Sequence, residues 1–132
     1  MADSEAPDNR RYSKEHEWAL VEGDAASIGI TDYAAHELGD VVYVQLPQVG
    51  ASIKQFEKLG EIESVKAVSD LFAPVSGQIV EVNQALEQNP ELVNDSPFEG
   101  GWMVKVRLTD NADPGRLLDA AAYKDYLQGL EH

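Results

Sequence analysis

The sequence has 132 residues, with 24 acidic and 10 basic side chains, a formal net charge of −14 and no cysteine. This length corresponds to one domain that is large enough to bury a hydrophobic core. The strong negative charge disfavours nucleic acid and anionic membranes as partners and favours proteins with basic surfaces. The lack of cysteine excludes disulfides, thiolate nucleophiles and thiolate metal ligands, so any sulfur chemistry has to come from an attached group.

The N-terminal residues 1–11 are polar, contain Pro7 and lack hydrophobic periodicity. They predict a flexible leader ahead of a single domain over residues 12–132. This leader has neither the apolar core of a signal peptide nor the Arg-rich, acid-poor character of a transit peptide, and no segment approaches the length of a membrane span. We therefore expect a cytoplasmic protein, and the like charge favours a monomer.

The first structured elements are predicted to be a hairpin and a short helix. Residues 17–21 and 25–30 have strand-like composition and flank a turn that contains Gly23, which predicts a β-hairpin. Thr31 then provides a helix N-cap, and Gly39 provides a stop for the short helix between them.

Further strands are predicted along the middle of the chain, at residues 40–46, 52–63, 67–72, 78–82 and 102–108. The first of them reads DVVYVQL and stops at Pro47, a β-branched and aromatic pattern that predicts a largely buried strand. Residues 89–93 suggest a single helical turn.

The C-terminal segment changes to helical spacing. Asp113 can cap, Pro114 suits the first helical position, and apolar residues recur from Leu117 to Leu127, which predicts one amphipathic helix. Short strands with Gly and Pro turns, followed by this helix, indicate a mainly β fold: a small sandwich or flattened barrel with helical additions.

Lys66 is the most informative single residue. It is the only cation in GEIESVKAVSD, residues 60–70, and it lies between two predicted strands, where a hairpin turn would expose its side chain. An exposed lysine in an acidic domain is ordinarily solubilising. A lysine at a hairpin tip is also well placed for a modifying enzyme, because the strands on either side hold it rigidly.

The segment ESVKAVSD closely resembles the lipoyl-attachment hairpin of the glycine cleavage system H-protein family. The resemblance extends from about Tyr12 to Tyr126. Further motifs agree in order and spacing: His16-Glu17-Trp18, residues 29–34, residues 38–44, residues 74–77 and Gly100-Gly101-Trp102.

The resemblance implies a barrel-sandwich hybrid, the lipoyl/biotinyl-type hairpin fold, with lipoate in amide linkage on Lys66. It implies a carrier that is not itself an enzyme, has no catalytic residue and serves glycine catabolism and one-carbon metabolism. A pyridoxal phosphate-dependent glycine decarboxylase would deliver an aminomethyl group to the lipoyl sulfur. A tetrahydrofolate-dependent aminomethyltransferase would take the one-carbon unit, dihydrolipoyl dehydrogenase would reoxidise the dithiol, and a lipoate ligase or lipoyl transferase would attach the group.

The family's docking cleft for the loaded arm maps onto Glu17 and Asp70. A cationic, hydrolysable cargo gains from shelter beside carboxylates, although these two residues are also ordinary members of a large set of acids. Glu15 adds a further acid beside Glu17, at a position where some family members have a small polar residue.

Alternative functions remain open from the sequence. A biotinyl domain typically has methionines beside the lysine, whereas Val65 and Ala67 stand here. A lipoyl domain of a 2-oxoacid dehydrogenase is shorter and continues into a linker. A relay that donates lipoyl groups to other carriers, or an unmodified acidic interaction module, would show the same hairpin.

No metal site is predicted. His16, His36 and His132 have no mutual ligand spacing. The segment that begins at Asp110 resembles a calcium loop, but Ala121 stands where the bidentate acid is needed.

Overall fold

Two antiparallel sheets, neither closed into a barrel, make up most of the computed structural model, which describes residues 5–130. The elements are β1 (Arg11–Tyr12), β2 (Glu17–Glu22), β3 (Ala25–Ile30), α1 (Asp32–Leu38), β4 (Val41–Gln45), β5 (Ser52–Ile53), β6 (Lys58–Ser64), β7 (Val68–Phe72), β8 (Gly77–Val82), α2 (Ala85–Gln88), α3 (Leu92–Asp95), β9 (Val104–Leu108), a 3-10 helix (Asp113–Arg116) and α4 (Ala120–Leu130). The larger sheet has the order β1-β2-β3-β9-β8-β5, and the smaller has the order β4-β6-β7. The mainly β class with short helices and a C-terminal helix is therefore confirmed.

The main core is shared by the two sheets. Ile28 and Val104 from the larger sheet and Ile62 and Leu71 from the smaller one belong to the same buried cluster. Burial of each such side chain contributes about 1.5–3 kcal/mol, and this common core fixes one sheet against the other.

A second apolar cluster holds α4 against the larger sheet. Trp18, Phe98 and Leu127 pack together, and the Trp18 indole N–H donates to the Pro97 carbonyl oxygen at 3.0 Å. A Cβ at Gly29 would lie 2.6 Å from the Trp18 ring, so glycine is needed for this packing. Trp18 is therefore a core residue.

The N-terminal segment differs from the predicted flexible leader. Ala6 and Arg10 are buried, and β1 already begins at Arg11; residues 1–4 lie outside the described residues. The Arg10 guanidinium lies 4.5 Å from the centre of the Trp18 ring, and its Nη1 donates to the Phe98 carbonyl oxygen at 2.6 Å. These contacts join residues far apart in the chain, so local composition could not indicate them.

The C-terminal segment is not one continuous helix, contrary to the prediction. A 3-10 helix ends at Arg116, and the Tyr12 and Leu118 backbones exchange two hydrogen bonds of 2.8 Å before α4 begins. The predicted cap, Asp113, instead accepts a hydrogen bond of 2.7 Å from the Ser76 N–H. Pairing with other parts of the chain therefore outweighs the local helical pattern here.

Three more predicted elements need correction. The strand predicted over 52–63 is broken between β5 and β6, where Phe56 has a φ of 69°. Strand β4 is not largely buried, since Tyr43 is 56% exposed at the edge of the three-stranded sheet. The single helical turn predicted at 89–93 is replaced by two short helices, α2 and α3.

Helices of a length and apolarity that could cross a membrane are absent from residues 5–130.

Candidate functional site

Lys66 lies at the tip of the hairpin between β6 and β7, and its side chain is exposed. The tip is closed by Ser64, whose N–H donates to the Ala67 carbonyl oxygen at 2.8 Å. The Ser64 hydroxyl oxygen also accepts from the N–H groups of Lys66 and Ala67, at 3.3 and 3.1 Å. One buried serine thus fixes the backbone on both sides of an exposed lysine.

The hairpin tip is anchored to the loop between α1 and β4. The Val65 N–H donates to the Asp40 carbonyl oxygen at 3.0 Å. The Asn94 side chain holds the residues on either side of Asp40: it donates to the Gly39 carbonyl oxygen at 2.8 Å and accepts from the Val41 N–H at 2.9 Å. The loop that supports Lys66 is therefore itself fixed from α3.

Gly39 has two features that suit this position. Its φ of 77° and ψ of −159° lie in a region that only glycine adopts without strain. A Cβ there would lie 3.4 Å from Lys66 Cε, so the stem of the lysine passes close over the glycine.

A cleft of about 650 Å³ opens beside the hairpin, between α1 and β7. This volume is in the range of small-ligand sites. Its lining combines apolar side chains with acids: Ile30, Tyr33, Ala34, Leu38, Ile62, Ala67, Val68, Leu71 and Phe72 on the apolar side, and Glu15, Glu17, Glu37 and Asp70 as the acids, with His16 and Ser69. The cleft thus has apolar walls and a negative electrostatic character.

Glu17 is the buried acid of the cleft, with 2% of its surface exposed. One carboxyl oxygen accepts from the Ser13 hydroxyl at 2.6 Å, and the other accepts from the Phe72 N–H at 3.2 Å. Burial raises the pKa of Glu17 to about 8, although these hydrogen bonds favour the charged form and act against the rise. The carboxyl group therefore retains its proton near neutral pH, and a cation placed beside it would lower its pKa.

Asp70 is the exposed acid of the same cleft. Its side chain is 49% exposed and lies 3.4 Å from Lys58 Nζ, which is also 2.7 Å from Glu61. Exposed pairs of this kind contribute only about 0–1 kcal/mol, so Lys58 does not prevent Asp70 from interacting with another cation. The two acids implied by the resemblance thus line one cleft, in very different environments.

His16 and Glu15 border this cleft as well. His36 is exposed on α1, and His132 lies outside the described residues. Within residues 5–130, no group of three or more His, Cys, Asp or Glu side chains is arranged to hold a metal ion.

Sequence reasoning missed Ser13, Ser64 and Asn94. Ser64 had a local signal, because a serine two residues before Lys66 can bond to the turn backbone. Ser13 and Asn94 had no local signal. The Ser13 hydroxyl bonds to the carboxyl group of a residue four positions away, and the Asn94 side chain bonds to a loop more than fifty residues away.

Comparison with known proteins places these features in one family. A family model described as "Glycine cleavage H-protein" matches residues 10–130. The chain is 58% identical over 120 residues to the glycine cleavage system H protein of Brevibacillus brevis, covering 91% of this chain and 95% of that protein. It is 54% identical over 121 residues to that of Staphylococcus carnosus, covering 92% and 96%. The crystal structure of a glycine cleavage system H protein from Mycobacterium marinum aligns with a TM-score of 0.83 and 41% identity, covering 96% of this chain and 99% of that chain.

Proposed function

The chain belongs to the glycine cleavage H-protein family and is a lipoyl carrier of glycine cleavage, and we propose that Lys66 is the residue that bears its lipoyl group. The observation that supports this residue most directly is the exposed side chain at a tip whose backbone is held by Ser64 and Asp40. The relatives are named as H proteins, which favours the carrier role over a lipoyl relay, a biotinyl domain or a 2-oxoacid dehydrogenase domain.

The cleft beside Lys66 fits an acylated lysine. Acylation converts the ammonium group, with a reference pKa of about 10.4, into a neutral amide and so removes the charge that holds the side chain in water. The apolar walls of the cleft can then bury methylene groups of the arm, at about 0.8 kcal/mol for each group. When bound, the lipoyl group supplies the dithiolane that accepts the aminomethyl group of glycine.

The acids of the cleft are suited to hold a cationic cargo. Asp70 presents an exposed carboxylate. Glu17 is neutral when the cleft holds no cation, and the approach of a cation favours release of its proton, since opposite charge stabilises the carboxylate. Proposed docking therefore couples the position of the cargo to the protonation of Glu17.

The proposed partners are the other components of glycine cleavage and the enzyme that attaches lipoate. They are the pyridoxal phosphate-dependent decarboxylase, the tetrahydrofolate-dependent aminomethyltransferase, dihydrolipoyl dehydrogenase, and a lipoate ligase or lipoyl transferase, acting together in the cytoplasm. The formal net charge of −14 supports encounter with partner surfaces that are rich in lysine and arginine. In this proposal the chain presents a substrate to each enzyme and catalyses none of the steps.

The first test is lipoylation of Lys66→Arg. Arginine keeps a long cation at the tip but cannot be acylated by the ligase, so we expect a folded protein that gains no lipoyl mass and supports no glycine decarboxylation. The measurement is intact mass after incubation with ligase, ATP and lipoate, followed by fragmentation to locate the modified residue.

Lys58→Arg is the matched control, because it lies on the same sheet and keeps a cation near Glu61 and Asp70. It should gain one lipoyl group, as the wild-type chain does. Full lipoylation of Lys66→Arg would assign the modification to another lysine and disprove the proposed site.

A further inference from the structure

His16, immediately before Glu17, has an unusual backbone conformation. Its φ of 72° lies in the left-handed region, which is uncommon for a residue with a side chain. Its N–H donates to the Ser13 carbonyl oxygen at 3.1 Å, and its carbonyl oxygen accepts from the Thr31 N–H at 2.9 Å. The tight turn that starts β2 with a buried Glu17 therefore depends on how His16 is held.

The hydroxyl group of Tyr123, on α4, joins His16 to the start of α1. It lies 2.9 Å from His16 Nδ1 and 2.8 Å from Thr31 Oγ1. Tyr123 is fully buried, and its ring stacks on Tyr12 with the centroids 4.8 Å apart. Burial raises the pKa of Tyr123, so its hydroxyl keeps its proton and can donate one of these two bonds while it accepts the other.

These two contacts reach two parts of the cleft lining. His16 and Glu17 belong to one part, and Thr31 is the N-cap of α1, which contributes Tyr33, Ala34, Glu37 and Leu38 to the wall opposite β7. A single hydroxyl thus joins the His16 side chain, next to the buried acid, to the N-terminus of α1, where the His16 and Thr31 backbones are also bonded. Because Tyr123 is inaccessible, it can influence a ligand in the cleft only through these neighbours.

We propose that Tyr123 is a positioning residue for the docked arm: its hydroxyl fixes the His16 side chain against the N-cap of α1, beside the buried Glu17, and so controls how well the cleft shelters the cargo from water. This inference rests on the proposed function of the cleft. The reaction that shelter prevents is hydrolysis, in which one water and one aminomethyl group give formaldehyde, ammonium and the free thiol as the carbon–sulfur and carbon–nitrogen bonds break.

The test compares Tyr123→Phe with Tyr126→Phe. Both changes remove one hydroxyl from α4, but the Tyr126 hydroxyl bonds only weakly, at 3.2 Å, to the Lys14 carbonyl oxygen. Each protein is lipoylated, loaded with glycine and glycine decarboxylase, checked for loading by intact mass, and followed for ammonium release. We expect Tyr123→Phe to release ammonium roughly five to ten times faster than wild type, on the scale of one lost hydrogen bond, and Tyr126→Phe to match wild type.

A spectroscopic readout on the unmodified protein separates this contact from general loosening. In the proposed arrangement the Tyr123 hydroxyl donates to Nδ1 of a neutral His16, which then carries its proton on Nε2. Burial lowers the pKa of His16 despite the opposing effect of Glu15 and Glu37. Loss of the Tyr123 hydroxyl should therefore mix the two tautomers in the imidazole ¹⁵N spectrum and shift the pKa of His16 upward, whereas Tyr126→Phe should change neither.

A second pair of variants changes His16 instead of Tyr123. This pair tests the contact between the two residues if Tyr123→Phe does not fold. Asparagine tolerates the left-handed backbone and offers an acceptor close to the His16 Nδ1 position, so His16→Asn should retain the cargo better than His16→Ala. Equal release from these two variants would overturn the role of the contact.

Other outcomes also overturn the inference. Tyr123→Phe could retain its cargo as long as wild type does, although its ¹⁵N spectrum shows that the contact is lost. Tyr126→Phe could release ammonium as fast as Tyr123→Phe. Wild-type protein could release ammonium as fast as a lipoylated lysine peptide does, and this result would also disprove docking in the cleft. If wild type protects the cargo, Glu17→Gln loses this protection and Tyr123→Phe keeps it, only the role of Tyr123 is disproved.

Discussion

Glu17 combines deep burial with an ionisable group, and its environment determines how its protonation affects stability. In an unfolded chain its pKa is about 4.3, whereas burial raises it to about 8 in the folded protein. Between these values the folded state binds the proton and the unfolded state does not. The contribution of Glu17 to the free energy of unfolding is therefore full below about pH 4 and falls as the pH rises to about 8.

We predict that Glu17→Gln removes this pH dependence. The amide resembles the protonated carboxyl group, so the variant should have nearly wild-type stability at pH 5. It should then gain up to about 1.4 kcal/mol over wild type for each pH unit between pH 5 and pH 8. Urea unfolding of both proteins across this range measures the difference, with the exposed Glu22→Gln on the same strand as the matched control. A constant difference between Glu17→Gln and wild type at all pH values would contradict the raised pKa.

The lysine hairpin is an element whose geometry depends on parts of the chain outside it. Ser64 is local to the turn, but Asp40 and Asn94 come from the α1–β4 loop and from α3. A hairpin of two strands is at best marginally stable by itself. Its support from the loop keeps an exposed tip ordered, as the proposed lipoylation of Lys66 requires.

Asn94→Ala should weaken this support. It leaves the Gly39 carbonyl oxygen and the Val41 N–H without their side-chain partner, which costs about 1–3 kcal/mol of stability. We expect ligase to modify Lys66 more slowly as well, measured as kcat/KM below the melting temperature. Asn89→Ala, at an exposed helix end, is the control; equal lipoylation rates in the two variants would remove Asn94 from the support of the hairpin.

Two glycine-to-alanine changes should shift the stability of the folded protein in opposite directions. Gly39→Ala places a Cβ on a glycine-only backbone conformation, 3.4 Å from Lys66 Cε, and should lower stability by about 1–3 kcal/mol. Gly129→Ala, in α4 with nothing within 4 Å of the added Cβ, should raise stability by about 0.5–1 kcal/mol. Thermal unfolding of both variants tests the pair, and a stabilising Gly39→Ala would show that its backbone conformation is not required.

At the scale of the whole molecule, net charge governs the rate of association with partner proteins, and the common core governs how the two sheets are arranged. The excess of acids produces a long-range negative field around the domain. The apolar residues that face inward from both sheets hold the hairpin, the cleft and α4 in one arrangement. A carrier that visits several enzymes needs both properties, since it must associate quickly and still present its arm in a fixed geometry.

Association with a basic partner surface should therefore be salt-sensitive. We expect the association rate with the aminomethyltransferase to fall on the order of tenfold as ionic strength rises from about 0.02 to 0.3 M, because salt screens attraction between surface charges. Stopped-flow measurement over this range tests the effect, and a salt-independent rate would mean that the partner surface is not basic.

Local chemistry in the sequence predicted much of the fold. The Gly23 turn, the Thr31 cap and the Gly39 stop each have a short-range cause, and the structure confirms the hairpin and α1. The exposed tip position of Lys66 followed from the two strands beside it, and its proposed chemistry came from family resemblance. The wrong predictions concern residues whose partners are distant, such as Asp113 bonded to Ser76 and Arg10 stacked on Trp18.

The sequence by itself determined the mainly β class, the acidic surface, the lack of cysteine thiols and the lysine presented between two strands, since each depends on composition or on neighbours along the chain. Only the tertiary structure decided that Glu17 and Asp70 line the same cleft, that burial raises the pKa of Glu17, and that the Tyr123 hydroxyl contacts both His16 and Thr31. These depend on desolvation and on hydrogen bonds between distant segments, and both exist only after the sheets and α4 have packed.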